Sequence, residues 1–163
     1  MKKRTILNLI IIIIWMILIF LFSQADAIKS TEQSDAVIIK TAEIIKKEEL
    51  TKEEKEEIIP KYMNIVRKSA HFFLYFILAI LIFVFVYRRC DLSIKTVLIT
   101  LFICLLYATS DELHQLFVSG RSGELRDICI DGCGSLLGEL LISLLMILKN
   151  KIKEKKTINW KYY

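Results

Sequence analysis

The chain has 163 residues, of which 55% are apolar and only one is a proline, and its net charge at pH 7 is +5. The charged residues fall mostly between long apolar runs, which is typical of membrane proteins and argues against a soluble domain. The sequence has neither a basic stripe nor interleaved aromatic residues for base stacking, so the positive charge does not indicate nucleic-acid binding.

Four apolar segments reach or approach the length needed to cross a bilayer. A helical span needs about 20 mostly apolar residues, because the hydrocarbon core is about 30 Å thick and a helix rises about 1.5 Å per residue. The predicted spans are residues 6–22, 70–87, 96–116 and 128–148. The sequence therefore predicts an all-α, polytopic membrane protein in which residues 1–163 form one domain, a bundle of four transmembrane helices.

The orientation follows from the lysine and arginine residues that flank the spans. They collect before the first span, between the second and the third, and in the tail at 149–163. Such flanks stay in the cytoplasm, so both termini are predicted to be cytoplasmic and the loop at 23–69 to be extracytoplasmic. The first span also resembles a signal peptide that ends at Ala25-Asp26-Ala27, but its long apolar run favours an uncleaved anchor.

The first loop contains an amphipathic helical pattern. Ile38, Ala42 and Ile45 recur at helical spacing, so they share one face of the predicted helix. This face could lie on the lipid headgroups, or the loop could form a helical hairpin that packs on the spans, and the sequence leaves both open. Pro60 is expected to end the charged helix that follows or to begin the next element.

Ionisable residues gather at the predicted outer end of the second span. Arg67, His71 and Tyr75 are spaced by four, so they lie on one helix face, and Lys68 adjoins them. Ionisable residues inside a membrane are candidates for function. The structural alternative is that Arg67 and Lys68 extend to the interface while His71 makes a hydrogen bond between helices.

An acidic pair, Asp111 and Glu112, lies near the predicted outer end of the third span. Asp111 shares a helix face with His114 and Gln115, whereas Glu112 points about 100° away. Two adjacent acids at this depth cost several kcal/mol if both stay charged and unpaired. The sequence therefore predicts a cation or a proton beside them.

The connection to the fourth span presents Arg121 in a glycine-containing turn. The fourth span then begins with Asp127 and Asp131, which are one helical turn apart. Asp127 could simply cap the helix, whereas Asp131 lies deeper and is harder to explain in this way. Farther along, Glu139 is predicted near the middle of the bilayer, where it must be protonated, paired or turned towards the bundle interior.

The fourth span also contains Gly134 and Gly138, a GxxxG motif that lets helices approach closely and that predicts a possible homo-oligomer. The four cysteines lie in or beside the spans without a CxxC motif, so we expect neither a disulfide framework nor a metal site. No cofactor is expected either.

Taken together, "RKSAHFFLY", "SDELHQLFVSGRSGELRDICIDGCGSLLG" and the "FSQ" that closes the first span resemble the VanZ-like family of small bacterial membrane proteins. The resemblance covers most of the chain except the first loop and the basic tail. Leu74 stands where many relatives have an acid. The resemblance implies a protein of the bacterial cytoplasmic membrane and, from the founding member, an association with resistance to teicoplanin-type glycopeptides.

Three functions are consistent with the sequence. The first is a protein that binds lipid or cell-wall headgroups at the outer face and so modulates how glycopeptides meet the envelope. The second is an intramembrane enzyme that modifies a lipid or cell-wall precursor, with His71, Asp111 and Glu112 as acid and base groups. The third is a proton-coupled transporter. The partners would be membrane lipid and, beyond it, a cell-wall precursor or a glycopeptide. The candidate binding residues are Arg67, Lys68, Tyr75, Gln115, Arg121, Asp127 and Asp131.

Overall fold

The protein is all-helical in a computed structural model that describes residues 2–24, 27–118 and 124–159. Four of its helices are long and apolar enough to cross a membrane. The chain is therefore a multi-pass membrane protein, and the prediction of an all-α bundle with four candidate spans is confirmed. The helices are α1 (Lys2–Ser23), α2 (Ala27–Lys46), α3 (Lys52–Cys90), α4 (Ile94–Gln115) and α5 (Leu125–Asn159). The spans are α1, α3, α4 and α5.

Helix α3 lies at the centre of the bundle. It contacts each of the other four helices and packs most extensively on α5. Its buried face repeats at helical spacing through Tyr75, Leu78, Ala79, Ile82, Phe83 and Val86. The outward faces of α1, α4 and α5 carry exposed isoleucine and leucine side chains, as expected of helices in contact with lipid.

The glycine motif of α5 packs against α3 of the same chain. A Cβ added to Gly134 would lie 2.3 Å from the carbonyl oxygen of Phe72, and one added to Gly138 would lie 2.3 Å from that of Phe76. Only glycine permits so close an approach of two helix backbones. A homo-oligomer through Gly134 and Gly138 remains a prediction, and within one chain α3 packs on this face.

Helix α2 and the first turns of α3 form a helical hairpin. The side chain of Ile38 is buried, and α2 packs on α3, whereas Ile45 is 78% exposed. Thr51 caps α3 in a capping box with Glu54. Glu54 also pairs with Lys46, and this hydrogen bond raises the pKa of Lys46. Part of the apolar face of α2 therefore packs against α3, and the rest is exposed.

Helix α3 continues through Pro60, so the prediction of a helix boundary there was wrong. Proline removes one backbone hydrogen bond and typically costs about 3 kcal/mol inside a helix. Pro60 is exposed, which leaves the unpaired carbonyl of Glu56 open to solvation. Ile58 and Ile38 of α2 line the same cavity. The packing of α2 on α3 favours the helical conformation on both sides of the proline.

Candidate functional site

Polar side chains converge at the end of the bundle where α4 ends and α5 begins. Three helices contribute: Lys68 comes from α3, Glu112 and Gln115 from the last turns of α4, and Asp127 from the first turn of α5. Glu124, just before α5, completes the group. We call this set of five residues the polar mouth.

Lys68 joins α3 to the start of α5. Its Nζ atom contacts the Asp127 carboxylate directly and lies 3.4 Å from Oε2 of Glu124. Asp127 is in the first helical turn, where the helix dipole favours a negative charge. Lys68 thus supplies the cation that an acid at this position needs, and it fixes the spacing of two helices.

The acidic pair of α4 is buried, with Asp111 and Glu112 only 3% and 4% exposed. The Gln115 side-chain amide donates to both carboxylates, at 3.4 Å and 3.3 Å respectively. The backbone N–H of Glu124 donates to Glu112 at 2.9 Å. A single amide therefore bridges the two acids. The His114 ring packs on Phe20 of α1, with 4.7 Å between ring centroids.

The predicted face of the second span points into the same region. His71 lies close enough to Asp111 for an electrostatic interaction, and the fully buried Tyr75 lies near both Asp111 and Asp131. A small cavity of about 10 Å³ separates these groups from the ion pair. Its polar lining residues are Arg67, Lys68, His71, Asp127 and Asp131.

Arg67 lies between two larger cavities. One, of about 360 Å³, is mostly apolar and is bounded by α1, α2 and α3. The other, of about 790 Å³, has an almost equally polar and apolar lining and is bounded by α3 and the start of α5. Arg67 and Phe73 line both cavities. Arg67 is thus at the border between a mostly apolar space and a more polar one.

Sequence reasoning did not identify two residues of this region. Ser23, at the end of α1, is fully buried beside Asp111. Glu124 contributes both its carboxylate and its backbone N–H. The polar residue that closes an apolar span was a usable signal for Ser23. Glu124 had no such signal, since acids in connections are common. Arg121 lies outside the described residues.

The described part of the chain contains no group of three or more His, Cys, Asp and Glu residues placed to hold a metal ion. The arrangement offers instead one ion pair between α3 and α5, a bridged pair of buried acids and an arginine between two cavities. Such groups can bind an anion or transfer protons.

The family model described as VanZ/LLP1 matches residues 8–147. The chain belongs to the VanZ/LLP1 family. No curated protein and no solved structure gives a significant match. In this VanZ/LLP1 protein, the matched residues include the whole polar mouth, both cavities beside Arg67 and the buried acids of α5. The match ends before the basic tail.

Proposed function

We propose that this VanZ-like protein binds an anionic lipid or cell-wall headgroup at the outer face of the bacterial cytoplasmic membrane. Such binding would modulate the interaction of teicoplanin-type glycopeptides with the cell envelope. The observation that supports the proposal is the position of Arg67, which lines a polar cavity and an apolar cavity at once. An amphiphile needs both environments next to each other.

The polar cavity suits a phosphate or carboxylate group. Three cationic residues line it, Arg67, Lys68 and Arg126, against one acid, Glu124. Lys68 is already engaged with Asp127, which leaves the two arginines as the principal ligands for an anion. A guanidinium binds such groups through two parallel hydrogen bonds, and these charge-assisted contacts are stronger than neutral ones.

The apolar cavity suits a hydrocarbon chain. Trp15 and Phe22 of α1, Val37 of α2, and Leu74 and Ile77 of α3 all line it. The indole N–H of Trp15 donates to the Leu74 carbonyl at 2.9 Å, so the polar atom of Trp15 is already satisfied. A lipid tail in this cavity would leave its headgroup near Arg67.

The proposal also includes the side of the membrane that the polar mouth faces. Four spans place both termini on the same side, and the lysine-rich tail and connection favour the cytoplasm for that side. The polar mouth is at the opposite end, where cell-wall precursors are exposed.

Binding can be measured with the purified full-length protein in nanodiscs and a fluorescent polyprenyl phosphate or phosphatidylglycerol as the probe. Arg67→Ala should weaken binding by about tenfold or more, because a hydrogen bond to a charged group contributes about 1.5–3 kcal/mol. Arg89→Ala is the matched control, since Arg89 is at the other end of α3 and donates to the Phe85 carbonyl. Unchanged affinity in Arg67→Ala would contradict the proposal, and the two probes distinguish a bilayer lipid from a cell-wall lipid carrier.

An intramembrane enzyme is the second candidate, and the proximity of His71 to the buried acid Asp111 favours it. In that case these residues and Glu112 would transfer protons during modification of a lipid or cell-wall precursor. His71→Ala and Glu112→Gln should each abolish the lipid or resistance phenotype of cells that depend on the protein. Full retention of the phenotype in both variants would exclude the enzyme.

A further inference from the structure

Helix α5 carries two carboxyl groups deep in the bundle. Asp131 and Glu139 are both 0% exposed, and none of their four oxygen atoms has a hydrogen-bond partner among the described residues. They lie on the same face of the helix, eight residues or about 12 Å apart by helical rise. The headgroup proposal uses neither group.

Burial without a partner affects whether these two acids are ionised or protonated. An ionised carboxylate without a hydrogen bond or a counter-ion is very costly in an apolar interior, so the group takes up a proton instead. The ionisable groups that act on Asp131, namely Asp111, Glu112 and Asp127, are all acids and supply no counter-charge. Burial without a hydrogen-bond partner therefore favours the protonated form of both Asp131 and Glu139.

Groups that can exchange protons lie between the two acids. Ser135 is on the same face, one turn from each of them, and is fully buried. On α3, the Tyr75 hydroxyl lies near Asp131, and on α4, the Cys104 thiol lies beside Ser135 and close to Glu139. Three helices thus line a column of protonated side chains from the end of α4 towards the middle of the bilayer.

The upper end of the column reaches the polar mouth. Asp131 borders the small cavity that His71, Lys68 and Asp127 also line, and its volume of about 10 Å³ is near the minimum that can hold one water molecule. A single water molecule in this cavity would connect Asp131 with Lys68 and Asp127, whose side chains are 22% and 13% exposed.

We propose that Glu139 is a proton-binding site in the interior of the bundle and that it exchanges its proton with the polar mouth through Asp131. The inference is independent of headgroup binding, because it concerns a different ligand, H⁺, and different residues.

Infrared spectroscopy of the full-length protein reconstituted in lipid tests the proposal. The wild-type protein at neutral pH should show C=O stretching bands of protonated carboxyl groups, and Glu139→Gln should lose one of them. Glu139→Leu, with an apolar side chain of similar volume, should lose the same band and serves if the glutamine variant does not fold. Absence of protonated-carboxyl bands in the wild type, or no loss in either variant, would overturn the proposal.

Transfer into D₂O then tests the route. The Glu139 band shifts as its proton is replaced by a deuteron, and Asp131→Asn should slow this shift by at least about tenfold, because a positioned proton-transfer group usually contributes more than that. Ser143→Ala, on the same helix but outside the buried column, is the control and should exchange at the wild-type rate. Wild-type exchange in Asp131→Asn would overturn the assignment of Asp131 as the relay.

Discussion

Two aspartates one turn apart on α5 have opposite environments. Asp127 is bound directly by the ammonium group of Lys68, whereas Asp131 is fully buried and no described residue donates a hydrogen bond to either of its oxygens. The same side chain is thus paired with a cation at the polar mouth and, one turn deeper, has no hydrogen-bond donor among the described residues. Depth in the bundle, more than residue type, determines what an acid does in this protein.

The contrast between Asp127 and Asp131 depends on the close packing of α5 against α3. The largest loss of stability should therefore follow from a substitution that separates these two helices. Gly138→Ala would place its Cβ 2.3 Å from the Phe76 carbonyl oxygen, a backbone atom that cannot move aside. We expect a loss of about 3 kcal/mol or more in the apparent free energy of unfolding, or no folded protein. Circular dichroism during denaturation in detergent micelles measures it.

Gly132→Ala is the matched control for this substitution. Its Cβ would meet only the end of the flexible Leu105 side chain, at 3.0 Å, and that methyl group can move. Equal destabilisation by the two substitutions would show that the α3–α5 approach is not the reason for the glycine at 138.

Removing the Lys68 ammonium group tests the ion pair that Lys68 forms with Asp127. Lys68→Ala should lower the apparent free energy of unfolding by about 1–3 kcal/mol, because it leaves the half-buried Asp127 carboxylate without its cation. Lys68→Arg should retain most of the stability. In a double-mutant cycle with Asp127→Asn, additive effects would contradict the pairing.

Replacing each aspartate with asparagine tests the buried half of the comparison. Asp131→Asn replaces a neutral acid with a neutral amide of the same shape, so we expect a change within about 1 kcal/mol. Asp127→Asn leaves Lys68 without its principal partner and should cost more than Asp131→Asn under the same conditions. The reverse order would mean that Asp131 is ionised in the folded protein.

The smallest effect is expected where an ion pair is fully in solvent. Lys46 and Glu54 form a close pair, but both side chains are about 40% exposed. Lys46→Ala should leave the melting temperature unchanged, because water and salt screen such pairs. A lower melting temperature at low salt that recovers at high salt would show that the hairpin depends on this contact.

The sequence predicted the helices well because apolar length and helical spacing are local properties. The common face of Arg67, His71 and Tyr75 is recognisable from spacing alone, and so is the position of Asp127 at the start of a helix. The pairing of Lys68 with Asp127 is not recognisable in this way, since it joins residues 59 positions apart.

Two other features also depended on tertiary packing. The close contact of Gly134 with the backbone of Phe72 could not be read from a motif that serves equally within one chain and between two. The continuation of α3 through Pro60 depended on the packing of α2 against α3, which local propensity does not include.

The length of α3 has a mechanical consequence. Its 39 residues extend about 58 Å, nearly twice the hydrocarbon thickness of about 30 Å, so much of the helix projects from the bilayer as an arm. Pro60 lies within that arm, and the missing hydrogen bond makes it the position where bending costs least. A bend there would displace the tip of the hairpin, whereas Lys68, about 12 Å farther along the helix, is bound to Asp127 at the start of α5.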